Sequence, residues 1–128
     1  MRSPPAWAAV GEARLTVLVV VLDDDLRALI RHMLEGPECN VLAAGTAADA
    51  LGLASSTQVD LLLTEASPSV QGAAIAERLR VPNPGLPVLY IIDHPDVTGL
   101  EGEATLKKPF SREELSRTIS ALLRGRTS

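Results

Sequence analysis

The sequence TVLVVVLDDDLRALIRHML, residues 16–34, places a strand pattern and a helix pattern on either side of three aspartates. The run of apolar, mostly β-branched residues at 16–22 predicts a strand that is buried on both faces of a sheet. The aspartates can cap a helix, and the apolar residues after them recur three and four positions apart, which predicts an amphipathic helix. Gly36 and Pro37 end that helix. The stretch is therefore typical of the first βα unit of a parallel sheet.

The same alternation of short apolar strands and helices continues along the chain. Further strands are predicted at residues 40–43, 59–64, 88–92 and 104–106. Helices are predicted after the N-cap residues Thr46 and Ser111 and over residues 73–80. This order predicts an α/β, flavodoxin-like (βα)5 fold, a doubly wound parallel sheet with strand order 2-1-3-4-5. Pro95, Gly99 and Gly102 break the segment between the last two strands, so the helix in that segment is expected to be shortened.

Length and composition predict one domain with its own core. The chain has 128 residues, of which 46% are hydrophobic and 22% charged, as in ordinary globular proteins. The domain is predicted at residues 15–124, with a flexible tail or linker at 1–14 and a short tail at 125–128. Trp7 in the first tail could dock on the domain or on a partner, and the sequence leaves both alternatives open.

The charge balance and the hydropathy exclude several classes of function. The net charge of −4 and the isoelectric point of about 5.1 argue against nucleic acid as a partner, because phosphate binding requires a basic face. No apolar run is long enough to span a membrane, and the first residues do not form a secretion signal. A cytoplasmic location is therefore expected. Cys39 is the single cysteine and is expected to be a small core residue.

Charged residues follow the predicted strands at their carboxyl ends, where ligands bind in open α/β sheets. Asp23 and Asp24 follow the first strand, Glu65 the third, Asp93 the fourth and Lys108 the fifth. Hard carboxylate oxygens could hold Mg²⁺, and a lysine opposite them would balance a phosphoryl group. The aspartates have a simpler interpretation as a solvated helix cap. Mg²⁺ is therefore a possible cofactor, and no cofactor is certain.

The chain resembles the receiver domain of bacterial response regulators, especially receivers at the C-terminus of hybrid sensor kinases. The resemblance covers residues 16–123 and is carried by TVLVV, LRALIRHMLE, VDLLLTEASPSVQG, GLPVLYI and LKKPFSREEL. It implies a phosphoryl-transfer switch in two-component signalling. In that family an aspartate takes phosphate from a histidine kinase with Mg²⁺, and one face of the domain then rearranges.

The chain departs from this family at the positions that carry the chemistry. An ungapped alignment places Val21 and Leu22 where the family has the acidic pair that holds Mg²⁺, so that Asp23 lies one position beyond the pair. A shifted loop could bring Asp23 and Asp24 into the place of the pair. Glu65 stands at the phosphoacceptor aspartate, and a count back from Pro68 gives Thr64 instead. Neither alignment gives an aspartate.

The family's conformational switch is also altered. Ile92 stands where a serine or threonine hydrogen-bonds the phosphoryl group, and Thr105 stands at the aromatic switch position. Lys108 and Pro109 match the family, in which this Lys-Pro bond is usually cis. Lys108 is expected to form a structural ion pair with Asp23 or Glu65.

Three functions compete on this evidence from the sequence. The first is a receiver-like module that is not phosphorylated in the usual way and is not an enzyme. It would act by contact with a protein such as a histidine kinase or another signalling protein, and it could form a homodimer. The second is a working phosphoacceptor that uses Mg²⁺ and an Asp or Glu carboxylate. The third is a flavin or nucleotide binder, which the run of aspartates after the first strand disfavours because it would repel phosphate.

Overall fold

The computed structural model describes residues 15–37, 39–66, 72–93, 100 and 102–126. These residues form five strands: β1 (Leu15–Val20), β2 (Cys39–Ala44), β3 (Leu61–Glu65), β4 (Val88–Ile92) and β5 (Ala104–Lys107). Four helices lie among the described residues: α1 (Asp24–Leu34), α2 (Ala47–Ser56), α3 (Gly72–Leu79) and α4 (Arg112–Arg126). None of these helices is long and apolar enough to cross a membrane.

The strands form one parallel sheet in the order β2-β1-β3-β4-β5. This order confirms the predicted flavodoxin-like topology. β1 lies in the interior of the sheet, where Val17 pairs with Val41 of β2 on one side and with Leu61 of β3 on the other. All four strand pairs are parallel, so every strand ends at the same edge of the sheet. Glu65, Asp93 and Lys108 lie at that carboxyl edge.

The two faces of the sheet carry separate hydrophobic clusters. Val17 and Val19 of β1 point to one face, which α1 and α4 cover with Ile30, Leu115 and other side chains. Leu18 of β1 points to the opposite face, which α2 and α3 cover. The alternation follows from the two-residue period of a strand. Burial on both faces explains why β1 is an uninterrupted apolar run, and Cys39 is buried in the first cluster as expected.

The helices begin where the sequence predicts. The side chain of Asp23 accepts a hydrogen bond from the backbone N–H of Asp25, and that of Thr46 accepts one from Asp49 N–H. Ser111 and Glu114 exchange reciprocal bonds, each side chain accepting from the other's backbone N–H at 3.1 Å. These caps satisfy donors that would otherwise lack partners in the first turn.

Some boundaries differ from the prediction. β1 ends at Val20 rather than at residue 22, because the chain must turn there to bring Asp23 into its capping position. Leu22 consequently leaves the core and is 53% exposed. α4 continues to Arg126, past the predicted domain end at residue 124. The expected shortened helix between β4 and β5 falls mainly on residues 94–99 and 101, which lie outside the described residues, as do residues 1–14.

Gly72 and Gly52 provide a matched test of packing at the carboxyl edge. A Cβ on Gly72 would lie 2.5 Å from the Glu65 carbonyl oxygen, whereas one on Gly52 of α2 would meet nothing within 4 Å. We expect Gly72→Ala to destabilise the fold by about 1–3 kcal/mol, because backbone must move. Gly52→Ala should stabilise it by about 0.5–1 kcal/mol through helix propensity. Urea unfolding of both variants measures the difference, and equal effects would contradict the close approach of α3 to β3.

Candidate functional site

Glu65 is the last residue of β3, and both oxygens of its carboxylate are engaged. Oε1 accepts a hydrogen bond from the backbone N–H of Leu22 at 2.9 Å. Oε2 lies 3.3 Å from Nζ of Lys108. Only 13% of the side chain is exposed, so these contacts are partly shielded from water. The carboxylate therefore joins the end of β1 to the segment that follows β5.

Lys108 follows β5 directly and is positioned by the sheet. Its backbone N–H donates to the carbonyl of Ile92 at 3.0 Å, and its peptide bond to Pro109 is cis, as the resemblance implies. Its ammonium group also lies 3.1 Å from Oδ1 of Asp93. The expected ion pair with Glu65 is thus present, and the second partner is Asp93 rather than Asp23.

The pKa of Lys108 reflects two opposed effects. Partial burial lowers it, because the charged form loses hydration. The hydrogen bonds to Asp93 and Glu65, together with the negative charges of those residues, raise it and outweigh the burial. The pKa is therefore above the ordinary 10.5, and the lysine is charged at neutral pH. Glu65 and Asp93 therefore stabilise the charged form of Lys108 in the site.

Val21 and Leu22, which the resemblance aligns with the family's acidic pair, contribute only backbone groups to the site. Arg27 of α1 reaches back to them, and its Nη1 donates to the Val21 carbonyl at 2.7 Å and to the Leu22 carbonyl at 3.4 Å. Its Nη2 pairs with the carboxylate of Asp24. Gly45 leaves room for this side chain, since a Cβ there would lie 2.9 Å from Nη1. A fixed positive charge therefore lies against the end of β1.

The two aspartates with a predicted metal role make other contacts. Asp23 caps α1, and Asp24 is 85% exposed and pairs with Arg27. Within the described part of the chain, no three His, Cys, Asp or Glu side chains come together in a group that could hold a metal ion. The nearby cation of Arg27 would also repel a divalent ion. These residues do not fit the Mg²⁺ that the family implies.

Thr64 is the alternative phosphoacceptor position, and it faces the interior. Its side chain is buried, and its hydroxyl donates to the carbonyl of Val20 at 3.1 Å. The hydroxyl thereby tightens the pairing of β3 with β1. Glu65 rather than Thr64 presents its side chain beside Lys108.

Ile92 and Thr105, which the resemblance aligns with the family's switch positions, lie on neighbouring strands and differ in exposure. Ile92 ends β4, is buried, and offers no hydrogen-bond donor from its side chain. Thr105 of β5 pairs with Tyr90 in the sheet and is exposed. Neither position carries the side chain that the family's switch uses.

Sequence reasoning missed Arg27 and the pairing of Asp93 with Lys108. Arg27 follows Asp24 by three residues, a helical spacing at which ion pairs form. The sequence therefore carries a signal for the ion pair between Arg27 and Asp24. The sequence carries no signal for the hydrogen bonds from Arg27 to the Val21 and Leu22 carbonyls, because they depend on how closely α1 approaches β1. Asp93 was assigned to the correct edge of the sheet without a partner.

Comparison with known proteins defines the class of this fold and site. The sequence model of the family described as the response regulator receiver domain matches residues 17–120. The match covers most of the chain, which therefore belongs to the response regulator receiver domain family of two-component signalling proteins.

Two mycobacterial regulators are similar in sequence. The probable transcriptional regulatory protein TcrX of Mycobacterium tuberculosis is 32% identical over 117 residues, which cover 84% of this chain and 50% of TcrX. The response regulator MprA of Mycobacterium bovis is 31% identical over 119 residues, which cover 86% of this chain and 52% of MprA. The chain thus spans about half the length of the curated relatives it matches.

Solved structures agree with the fold. A response regulator receiver domain protein from Clostridium thermocellum has a TM-score of 0.76 at 21% identity, covering 88% of this chain and 97% of that one. A receiver domain from Francisella has a TM-score of 0.72 at 26% identity, covering 90% of this chain and 100% of that one. The chain therefore has the backbone fold of these receiver domains.

Loss of the Lys108 charge should destabilise the domain. We expect Lys108→Met to cost about 1–3 kcal/mol at neutral pH, because Glu65 and Asp93 lose a charged hydrogen-bond partner. Lys107→Met, at the exposed neighbouring lysine, is the matched control and should change the free energy of unfolding by less than about 0.5 kcal/mol. Urea unfolding measures both, and similar effects would show that the ion pairs contribute little.

The raised pKa of Lys108 also predicts a pH dependence. Its stabilising charge is complete below its ordinary pKa of 10.5 and is lost as the pH rises through the raised value. The pKa of Tyr90 is also raised, first by burial and then by the charge of Glu103, against the opposing charge of Arg80. The fold therefore loses further stability through Tyr90 as the pH rises, in the wild type and in the variant alike. The stability difference between the wild type and Lys108→Met should therefore shrink in strongly alkaline solution. A difference that does not change with pH would contradict the ion-pair geometry.

Arg27 should contribute more than an ordinary surface arginine. We expect Arg27→Met to destabilise the fold by about 1–3 kcal/mol, because the Val21 carbonyl loses a charged donor in a partly buried place. Arg31 of the same helix pairs with Glu35 at the exposed surface, so Arg31→Met should cost no more than about 0.5 kcal/mol. Thermal or urea unfolding measures the loss of stability in each variant. Equal losses in Arg27→Met and Arg31→Met would contradict a larger contribution from Arg27.

Proposed function

We propose that the chain is a receiver-type signalling module that does not use metal-dependent phosphorylation and acts by protein–protein contact. The single observation that carries the proposal is the state of the Glu65 carboxylate. The resemblance aligns Glu65 with the family's phosphoacceptor position, and the Leu22 N–H and the Lys108 ammonium group each bind one of its carboxylate oxygens. A carboxylate bound in this way stabilises the fold by linking the turn after β1 to Lys108.

The chemistry of Glu65 supports this proposal. A glutamate places its carboxylate roughly 1–1.5 Å farther from the backbone than an aspartate would, and misplacement on that scale can cost about 100-fold in rate. An attacking oxygen must also give up a hydrogen bond before it can reach phosphorus. Both effects work against phosphoryl transfer to this side chain.

The surroundings of Glu65 support it further. Phosphoryl transfer needs cations that neutralise the charge developing on the phosphoryl oxygens. Val21 and Leu22 follow β1, and the guanidinium of Arg27 binds their carbonyls, so the described residues do not assemble a Mg²⁺ site there. Ile92 has no donor with which to detect a phosphoryl oxygen. The module would then hold one conformation without a phosphorylation cycle.

The partner in this proposal is a protein of a two-component system, such as a histidine kinase or another signalling protein. The support is membership of the receiver family and similarity to two mycobacterial regulators over about half of their length. The acidic net charge of −4 disfavours direct binding of nucleic acid. The proposal includes a cytoplasmic location, a non-enzymatic role and the option of a homodimer.

A working phosphoacceptor is the second candidate function. The observation in its favour is that Lys108 lies 3.3 Å from the Glu65 carboxylate, in the position from which a lysine would balance a phosphoryl group. This candidate requires Glu65 to leave Leu22 and a metal to bind without the acidic pair. The same experiment tests both functions.

Incubation with an acyl phosphate and Mg²⁺, followed by intact-mass measurement, decides between them. We expect no gain of a phosphoryl group in the wild type. The Glu65 carboxylate is already bound to Leu22 and Lys108, and the described residues form no Mg²⁺ site that would orient the acyl phosphate. A receiver with an intact acidic pair and aspartate serves as the positive control. A mass gain in the wild type that disappears in Glu65→Gln would overturn the proposal and establish the phosphoacceptor function.

A further inference from the structure

The two outermost strands of the sheet differ in the features that control pairing with another strand. β5 is outermost on one side, where it carries the exposed Lys107 and is soon followed by Pro109. A lysine and a proline at an edge strand discourage such pairing. β2 is outermost on the other side, and its six residues, CNVLAA, include no charged residue and no proline. The β2 edge therefore lacks the features that protect β5.

The backbone groups of Val41 and Ala43 point to the open side of β2. The N–H of Val21 donates to the carbonyl of Ala44 at 3.1 Å, so the backbone groups of Ala44 face β1. Successive residues of a strand point these groups to alternate sides. Cys39, Val41 and Ala43 therefore direct their N–H and C=O groups away from the sheet.

Two copies of this edge can pair antiparallel with each other. When Leu42 of each copy lies opposite Leu42 of the other, Val41 lies opposite Ala43 of the other copy. Residues that face each other in this way exchange both of their backbone hydrogen bonds. The outward N–H and C=O groups of Val41 and Ala43 would then all have partners. The β2 edge is therefore complementary to itself about a two-fold axis.

The side chain of Leu42 lies at that two-fold axis. It is on the face of the sheet that α2 and α3 cover, where it packs against the hydrophobic cluster and stays partly exposed. Opposite residues that form no hydrogen bond approach each other most closely, with Cα atoms about 4.5 Å apart. The two Leu42 side chains would therefore contact each other and remove apolar surface from water.

A second copy of the chain fits this edge better than a long foreign peptide. A peptide that adds a strand gains affinity from a long row of main-chain hydrogen bonds. The open stretch of β2 is short, because Gly36 bonds to Cys39 at its start and α2 begins at Ala47 soon after its end. Charge also favours this edge. Two chains with a net charge of −4 repel each other, and β2 adds no charge of its own to the contact.

We propose that the chain forms a two-fold symmetric dimer through antiparallel pairing of β2, which joins the two sheets into one continuous sheet. This pairing supplies the surface for the homodimer included in the proposed function, and it rests on that function in this respect alone. The carboxyl edges of the two copies would point in opposite directions. A contact between two short strands is smaller than the roughly 1,200–2,000 Å² of a stable interface, so the dimer should be reversible.

Sedimentation velocity of the full chain at concentrations of about 0.01–1 mM tests the inference. Ala43→Pro and Thr105→Pro are matched variants, because each removes an outward N–H from an edge strand. Thr105 of β5 faces outward because Lys108, three residues later, donates its N–H to Ile92 of β4. We expect the wild type and Thr105→Pro to dimerise alike as the concentration rises. Ala43→Pro should dimerise at least about tenfold more weakly, because it loses hydrogen bonds across the axis.

Disulfide cross-linking tests the register of the pairing. Leu42→Cys would place two thiols at the axis, where the Cα atoms are close enough for a disulfide. Thr105→Cys, at the other edge, is the matched control. We expect oxidation to convert Leu42→Cys to a covalent dimer on a non-reducing gel. Thr105→Cys and the wild type, in which Cys39 is buried, should remain monomers on that gel.

Three results would overturn the inference. The first is a wild type that stays monomeric up to about 1 mM. The second is equal dimerisation of Ala43→Pro and Thr105→Pro when circular dichroism shows that both are folded. The third is no cross-linking of Leu42→Cys, which decides the question even where Ala43→Pro does not fold. A mass gain with acyl phosphate would overturn the proposed function and leave this dimer unaffected, so the two failures are distinguishable.

Discussion

The carboxylate of Glu65 joins parts of the chain that the sheet alone does not lock together. Its first oxygen holds the turn between β1 and α1 through Leu22 N–H, and its second holds Lys108 after β5. Lys108 in turn binds Asp93 after β4. Four of the five strands therefore meet at their carboxyl ends through one connected set of charge-assisted hydrogen bonds, which are stronger than neutral ones.

Arg27 extends this arrangement to the first helix. Its guanidinium binds the Val21 and Leu22 carbonyls while the Leu22 N–H binds Glu65, so both sides of this short turn are held by charged groups. In the receiver family as the resemblance describes it, carboxylates and Mg²⁺ occupy this place. Here a positive side chain stands against backbone carbonyls. The receiver backbone has been kept, with a different distribution of charge at its edge.

The fold followed from the sequence because its signals are local and mutually consistent. The apolar run of β1, the caps at Asp23, Thr46 and Ser111, and the strand–helix alternation all indicate the same topology. The ion pair between Lys108 and Glu65 was also expected, because parallel strands end at one edge. The partners of Arg27 and Asp93 do not follow from the sequence, because the long side chains of Arg27 and Lys108 can reach several neighbours and tertiary distances decide among them. The end of β1 was misplaced because Leu22 is apolar and yet belongs to the turn.

The position of β1 inside the sheet has a consequence for how the chain folds. β1 pairs with β3 across a separation of 44 residues, as in the bond from Thr64 to Val20. Contacts between such distant parts of a chain require a large loss of chain entropy before they form, which slows folding. Until β3 pairs with it, one edge of the largely apolar strand β1 has no hydrogen-bond partners and can pair with another chain. Fragments that end before residue 61 should therefore aggregate during synthesis or proteolysis, even though the complete domain buries that edge.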